Sequence, residues 1–353
     1  MASIYKTFTS NDIVSKRTLL HEAIPLTGTI VSGSAYSDAN IKTFSAHDMF
    51  ESVYDYPFLS SSANHVFDLT AGFSNDSPLS ASTVDAGLSP AKKINIYNQM
   101  AQVLVGFDET GTVRKFDRDG ALGGGDTLNE VFFVNFARLL TKDEIKKQSF
   151  TIQFLTGGVT SAPTDVLTIS DLNALTATKV NSPAGEYGIL YTGSAGDAAD
   201  AVGLIYYQAG VCVLTASIFD GNATNYIGPN GSNGASTNYD TPDDLLASGS
   251  ISGSADALRN RLENISFNNT IEINSTIYFC RANNNEYNIS ANPTYTSGSK
   301  IVVKSNAEEL PRAYVTSVGL YSADNELLAT AKLSEALVKD PTNEFTLRVR
   351  LDY

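Results

Sequence analysis

Acidic and glycine residues cluster at 117–120, where the sequence reads Asp-Arg-Asp-Gly, and such a cluster could in principle bind calcium. A calcium loop of the EF-hand type needs glycine at its sixth position and a distal bidentate glutamate. Counted from Asp117, Gly120 is the fourth position, so the sequence predicts a hairpin turn instead. The Gly-Gly-Gly-Asp segment at 123–126 lacks the lysine and hydroxyl residue of a phosphate-binding loop. We therefore expect neither a metal nor another cofactor.

Nucleophilic catalysis would need a serine or cysteine beside a positioned base. No Gly-x-Ser-x-Gly elbow follows a predicted strand, and no nucleophile motif lies beside His21, His47 or His65. Adjacent carboxylates, as at 243–244 and 308–309, are typical of solvated turns. We therefore expect that the chain is not an enzyme, and we assign no catalytic, cofactor-binding or metal-binding residue.

The two cysteines indicate neither a disulfide framework nor a zinc site. Cys212 lies in the apolar run 211–214, and Cys280 ends the run 277–280. We therefore interpret both cysteines as small apolar side chains on strands. Arg281 follows Cys280, but consecutive strand residues point to opposite faces, so the arginine does not activate this thiol.

The 353 residues are 42% hydrophobic, which is enough for a core and excludes a wholly disordered chain. Their 24 basic and 38 acidic residues give a formal net charge of -14. Such a chain repels phosphate backbones, so we expect no nucleic-acid partner. The sequence has no polybasic anchor and no apolar stretch near 20 residues, so we expect no membrane association. Because its first residues lack the apolar core of a secretory signal, we expect assembly in a cytoplasm.

Cap and periodicity signals predict three helices, near 46–54, 90–105 and 255–265. In addition, a capping box from Thr141 to Glu144 predicts a short helical turn. Alternating or continuous apolar runs predict strands at 131–136, 149–155, 187–191, 202–207, 211–219, 271–280, 301–304, 314–321, 327–333 and 344–352. The fold class is therefore mainly β, of the α+β type, with antiparallel sheets or β-sandwich-like domains and about three packed helices.

The order of these signals predicts four segments. Residues 1–35 read as an extended N-terminal arm, and 36–157 as an α+β domain. Residues 158–250 read as a β-meander with a long polar loop at 221–240, and 251–353 as a β-rich domain that packs back on the second segment. The arm has two interpretations: it orders on a partner subunit, or it is an edge strand of its own domain.

The last predicted strand, 344–352, alternates cleanly, which is typical of a half-buried antiparallel strand. Its apolar residues share one face and its polar residues the other. The apolar set is Phe345, Leu347, Val349 and Leu351. We therefore expect the end of the chain to be held in a sheet.

Five stretches resemble virion structural proteins of large contractile-tailed bacteriophages, especially the T-even-type phages of marine bacteria. They are NIKTFS at 40–45, SVYDYPFLSSSANH at 52–65, KINIYNQMA at 93–101, VGLYSADNELLA at 318–329 and TLRVRLDY at 346–353. The resemblance covers much of the first half and the C-terminal end. It carries no known catalytic residue, so it implies a particle component and no site residues.

The resemblance implies a tail or baseplate subunit that acts through protein–protein assembly interfaces. Its partners would be other virion proteins of the tail, baseplate or neck, and it would be present in multiple copies. A neck, collar or capsid-decoration protein is the alternative within the particle. A receptor- or glycan-binding tail module is the second alternative, for which the 221–240 loop, with Tyr226 and Tyr239 near its ends, is the candidate region.

Overall fold

A computed structural model confirms a mainly β chain, with 43% strand, 19% helix and a large antiparallel sheet. The chain divides into two compact units. We call Leu20–Ile271 the central unit, and Met1–Leu19 with Glu272–Tyr353 the terminal unit. The structure describes residues 5–26, 38–44, 46–81, 88–123, 126–156, 165–193, 198–219, 241–290, 292–304, 306 and 308–353.

Two long strands cross the boundary between the units, β1 (Ile13–Leu26) and β12 (Leu262–Ala282), which are neighbours in the sheet. The described residues of the central unit form these further strands: β2 (Ile41–Thr43), β3 (Glu51–Tyr54), β4 (His65–Phe73), β5 (Glu130–Phe136), β6 (Glu144–Ile145), β7 (Thr151–Thr156), β8 (Asp165–Ser170), β9 (Tyr187–Tyr191), β10 (Ala201–Tyr206) and β11 (Val211–Thr215). From β12 the sheet order is β7-β8-β9-β10-β11-β5-β4-β3-β2, and β6 pairs with β12 separately.

The described helices also lie in the central unit: α1 (Leu88–Leu104), α2 (Arg138–Thr141), α3 (Pro242–Ser248) and α4 (Ile251–Arg261). None of them is long and apolar enough to cross a bilayer. Helix α1 packs so closely on β4 that a Cβ at Gly72 would lie 2.7 Å from the carbonyl oxygen of Lys93. Only glycine fits this approach, because a real side chain would have to displace the helix backbone.

Both faces of the central sheet are buried, which explains why its strands read as continuous apolar runs. On β5, Val131 and Phe133 belong to one core, and Phe132 and Val134 belong to the other. Tyr97 of α1 packs in the first core, where its hydroxyl donates to the carbonyl of Leu128 at 2.8 Å. The second core is covered by α3 and α4.

The terminal unit contains β13 (Thr296–Ser297), β14 (Lys300–Ile301), β15 (Ala313–Tyr321), β16 (Leu327–Lys339) and β17 (Phe345–Asp352). Strand β17 pairs antiparallel with the end of β12, with Leu347 opposite Cys280. Its apolar residues are half-buried and its polar residues exposed, so the predicted alternation is confirmed. Strands β15 and β16 form a separate hairpin, as do β13 and β14.

The predicted helix at 90–105 and strand at 187–191 are confirmed by α1 and β9. The predicted helix at 46–54 is wrong, because residues 51–54 form β3 between β2 and β4. Its apparent cap makes a single turn, in which the N–H groups of His47 and Asp48 both donate to the carbonyl of Phe44. Burial of Val53 in the sheet outweighs the local helix signal.

Two other helix predictions are shifted. Helix α4 begins at Ile251, capped by Ser250, and gives way at Leu262 to β12, so the last turn predicted at 255–265 is strand. The helical turn predicted at 141–144 lies three residues earlier as α2, and Lys142 ends it at a positive φ of 54°. Helix α3 was not predicted.

The predicted segment boundaries and the compact units divide the chain at different residues. Residues 5–19 of the predicted arm belong to the same unit as the C-terminal strands, and β1 is the edge strand beside β12. The loop at 221–240 and residues 27–35 of the arm lie outside the described residues.

Candidate interaction surface

The terminal unit exposes its apolar side chains and buries very few of them. Among the described residues, sixteen of the twenty-five exposed large hydrophobic side chains belong to this unit. Of the residues that the structure describes, the central unit buries 49 hydrophobic ones, whereas the terminal unit buries four: Ala282, Tyr295, Ala313 and Leu320. Exposed apolar side chains that form a contiguous patch are typical of interaction sites.

The β15–β16 hairpin carries much of this surface, including Tyr314, Tyr321, Leu327, Leu328, Leu337 and Val338. The pairing between its strands is irregular at two points. Near the turn, Leu320 pairs with Ala329 and Tyr321 with Leu327, so Leu328 is the extra residue of a β-bulge. Its side chain is 67% exposed.

Polar contacts bind residues 5–12 to the rest of the terminal unit. The ammonium group of Lys6 lies 2.5 Å from Oε2 of Glu286 and donates to the carbonyl of Arg281 at 3.0 Å. Nε of Arg281 in turn donates to Oδ1 of Asp12 at 2.7 Å. Hydrogen bonds from Thr9, followed by the charge of Arg281, hold the pKa of Asp12 below its ordinary value.

Aromatic contacts reinforce this attachment. The ring of Tyr5 lies 4.7 Å from that of Tyr321 on β15, and the ring of Phe8 lies 5.4 Å from that of Tyr278 on β12. In both pairs the rings are tilted, a favoured geometry for aromatic contacts. The described part of the predicted arm is therefore engaged within its own chain.

A cavity of 580 Å³ lies among these elements of the terminal unit. This volume is within the roughly 300–1,000 Å³ of typical ligand pockets. Residues of the arm, β12, β15 and β17 form its wall, whose aromatic members are Tyr5, Phe8, Phe279, Tyr287, Tyr321 and Phe345.

Charge is distributed very unequally between the two units. The terminal unit has eleven basic and eleven acidic residues, and therefore no net formal charge. The central unit has thirteen basic and 27 acidic residues, so it carries the whole net charge of -14. Protein surfaces without net charge favour association, whereas like-charged surfaces repel each other.

The Asp117–Gly120 cluster forms a turn, as its spacing predicts. The N–H of Gly120 donates to the carbonyl of Asp117 at 3.2 Å, and the N–H of Asp119 donates to the Asp117 carboxylate at 3.0 Å. Gly120 has a φ of 68°, which favours glycine. Within the described ranges, no group of three or more His, Cys, Asp or Glu side chains could hold a metal ion.

Each histidine contacts a polar or aromatic side chain of its own surroundings. His21 contacts the hydroxyl of Thr270, His47 stacks on Phe44, and His65 pairs with Asp68 at 2.8 Å. Cys212 is fully buried, and burial raises the pKa of its thiol. Cys280 lines the cavity, and partial burial with the nearby charge of Asp12 raises its pKa as well. Neither thiol is therefore activated as a nucleophile.

A buried acidic group in the central unit was not predicted. Glu51 of β3 is fully buried, close to Asp256 and Arg259 of α4, which form an ion pair with each other. Burial, and next the charge of Asp256, raise the pKa of Glu51 to about 8, whereas Arg259 opposes the shift. The burial of Glu51 was not expected, because the prediction of a helix at 46–54 placed this residue on the wrong kind of element.

Comparisons with protein-family models, with curated proteins and with solved structures give no match. The function must therefore be inferred from the chain itself. Its most distinctive feature is the terminal unit, which has no net formal charge and exposes many of its large apolar side chains.

Proposed function

We propose that this chain is a structural subunit of a tailed bacteriophage particle, placed in the tail or baseplate, that works through protein–protein interfaces. Two independent features support the proposal. The five sequence stretches resemble virion proteins of contractile-tailed phages. The terminal unit has the surface that an assembly subunit needs, and this observation carries the proposal.

The surface argument depends on the cost of leaving apolar side chains in water. Full burial of a large apolar side chain is worth roughly 1.5–3 kcal/mol. Tyr314, Leu328 and Val338 of the hairpin are each 41–67% exposed, so much of that free energy is not gained within the chain. A partner that covers the hairpin would gain it, and the lack of net charge on the unit removes long-range repulsion.

The same surface would serve a neck, collar or capsid-decoration subunit, and only its place in the particle separates these roles. A receptor- or glycan-binding module is the second candidate, because tyrosine rings can stack on sugars. Tyr5, Tyr287 and Tyr321 line the cavity and are each 43–45% exposed. A glycan array probed with the purified chain tests this alternative, and specific sugar binding would favour it over an assembly role.

The test of the main proposal is quantification of the chain in purified particles. Particles from infected cells are banded on a density gradient, and the chain is measured by mass spectrometry against the major capsid protein. We expect several copies per particle, in a constant ratio. A chain that remains in the lysate and does not band with particles contradicts the proposal.

A matched pair of variants links incorporation to the surface. Supplied in place of the native chain, Tyr314→Ser with Leu337→Ser removes apolar groups from the hairpin. The control, Leu139→Ser with Leu175→Ser, removes two exposed leucines from the central unit, 83% and 68% exposed. We expect the first pair to lower incorporation and the second to leave it unchanged.

A further inference from the structure

Strand β17 is paired on one side only, with β12, and no other described strand pairs with it. Just beyond its end, Asn274 and Tyr353 exchange two backbone hydrogen bonds, of 3.0 and 2.8 Å. Backbone groups alternate in direction along an antiparallel strand, so those of every second residue before Tyr353 also point to β12. We call the opposite side of β17 the open edge. The N–H and C=O groups of four residues point to it: Thr346, Arg348, Arg350 and Asp352.

This edge is suited to accept a further strand. An extended segment that adds to an open edge gains main-chain hydrogen bonds along it, and its side chains determine which edge it fits. Proline and β-bulges are two devices that block such addition. Strand β17 contains no proline, and its register with β12 is regular from Phe345 to Asp352.

The exposed face beside the open edge carries a row of three arginines. Arg348 and Arg350 are two residues, or about 7 Å, apart along β17. Arg281 of β12 lies on the same face, diagonally across from Arg348. At one end of the row Arg281 pairs with Asp12, and at the other end Arg350 pairs with Asp352. Arg348 in the middle forms no ion pair within the described ranges, so its positive charge is not compensated.

The arginines determine which strand can be added. Two antiparallel copies of β17 centred on each other would place Arg348 of one copy opposite Arg350 of the other. Like charges directly opposite each other in a sheet are destabilising, whereas opposite charges stabilise the pair. A second β17 is therefore disfavoured, and the strand that fits has carboxylates beside Arg348 and Arg350.

The other face of β17 favours apolar side chains on the added strand. Leu347, Val349 and Leu351 alternate with the arginines and are only half-buried by the chain itself. The side chains of an added strand alternate between the same two faces, so every second one lies beside these residues. Apolar side chains there would remove more of this surface from water.

The charge of the whole chain indicates what kind of molecule carries this pattern. Its net formal charge of -14 repels densely charged polyanions at long range. A protein segment with a few carboxylates placed beside the arginines meets much less of this repulsion.

We propose that the open edge of β17 binds an extended segment of a different protein, in which acidic residues beside Arg348 and Arg350 alternate with apolar residues. The segment adds to β17 as a further strand. The inference rests on the proposed function, which assigns the chain to assembly through protein interfaces, and it names what one of those interfaces binds.

The test measures binding of a labelled peptide to the purified full-length chain by fluorescence anisotropy. The peptide is as long as β17, and glutamate alternates with valine in it. We expect saturable binding that weakens as salt is added, because salt screens exposed ion pairs. Two control peptides should bind much more weakly. Lysine replaces glutamate in the first, and the second has the same composition with its glutamates grouped at one end.

A charge reversal tests the role of the central arginine. Arg348→Glu should weaken binding of the glutamate peptide about tenfold. It should also bind the lysine peptide more tightly than the native chain does, and such a gain cannot result from unfolding. Lys300→Glu is the matched control, because it makes the same change of charge at an exposed position of β14 in the same unit. We expect it to leave both affinities unchanged.

Hydrogen exchange separates strand addition from a loose contact between charges. The amides that point to the open edge, those of residues 346, 348, 350 and 352, should exchange fast in the free chain. Bound glutamate peptide should slow them. The amides of Leu347 and Val349 already point to β12 and should change little.

Each outcome decides the inference. It is overturned by absence of binding, by equal binding of the glutamate and lysine peptides, or by binding that leaves the four edge amides unprotected. Stronger binding of a single-stranded DNA oligonucleotide would assign the edge to a nucleic acid and would also overturn it. If the chain fails these tests but bands with particles, the proposed function stands. If it passes them but never bands with particles, the inference stands and the proposed function is contradicted.

Discussion

Asp12 and Arg281 form an ion pair that joins the N-terminal residues to β12, with Nε of Arg281 2.7 Å from Oδ1 of Asp12. The two residues are 269 positions apart in the chain. The sequence left two interpretations of the N-terminal arm, partner-bound or an edge strand. This ion pair and the place of β1 beside β12 show that its described residues, 5–26, are held within the chain.

Breaking this ion pair should release the start of the arm. In Asp12→Ala we expect trypsin to cleave after Lys6 faster than in the native chain, because Arg281 and the N–H of Thr9 both lose their acceptor. The control is Asp340→Ala, which removes a similar carboxylate bonded to Thr342 in a turn far along the chain. Equal cleavage of both variants would show that the ion pair does not hold the arm.

The stability of the central unit should fall as the pH rises from about 5 to 8. The pKa of Glu51 is raised from 4.5 to about 8, so the folded state keeps a proton that the unfolded state loses. The free energy of unfolding then decreases by up to about 1.4 kcal/mol per pH unit over this interval. Denaturant unfolding at pH 5, 6.5 and 8 measures the slope.

Glu51→Gln should remove most of the slope between pH 6.5 and 8, because glutamine stays neutral throughout and burial raises the pKa of Asp171 only to about 6, below this interval. The variant should therefore exceed the native chain in stability at pH 8 and differ least from it at pH 5. Glu335→Gln, at an exposed position on β16, is the control and should keep the native slope. A native slope in Glu51→Gln would mean that another group titrates.

Asp171 should be essential to the packing of the central unit. Its carboxylate accepts hydrogen bonds from the N–H of Gln148 at 2.7 Å, the N–H of Phe150 at 3.0 Å and the hydroxyl of Tyr207 at 3.0 Å. Each buried donor left without an acceptor costs roughly 1–3 kcal/mol. Asp171→Ala should therefore lower the free energy of unfolding by more than Tyr207→Phe, which removes one donor. Equal losses in the two variants would contradict this account.

The apolar face of β17 should stabilise the terminal unit and leave the stability of the central unit unaffected. Leu347 is half-buried opposite Cys280, so Leu347→Asp should cost about 1–2 kcal/mol, part of the value for full burial. Hydrogen exchange should speed up in β12 residues 275–282 and remain slow in β5. Thr346→Asp, on the exposed face of the same strand, is the control, and an equal effect there would refute the face assignment.

The sequence predicted correctly those helices and strands whose stability signals lie within their own residues. The cap, proline and periodicity of α1 and the apolar run of β9 each lie within one segment, and both elements form as predicted. Strand β3 was mistaken for a helix because its stability comes from β2 and β4, which its own residues do not reveal. The exposed surface of the terminal unit was not predicted for a similar reason. The alternation on β17 indicates that one face of the strand is apolar. It does not indicate how completely other strands or loops cover that face.

The central claim is that assembly covers the terminal unit, and hydroxyl-radical footprinting of the isolated chain and of purified particles tests it most directly. Oxidation is measured at Tyr314, Tyr321 and Leu328 in the terminal unit, and at Leu139 and Leu175 in the central unit, all of which are exposed in the chain. We predict that oxidation of the first three falls in particles relative to that of the two central leucines. Equal oxidation of the three terminal residues in the isolated chain and in particles would contradict the account.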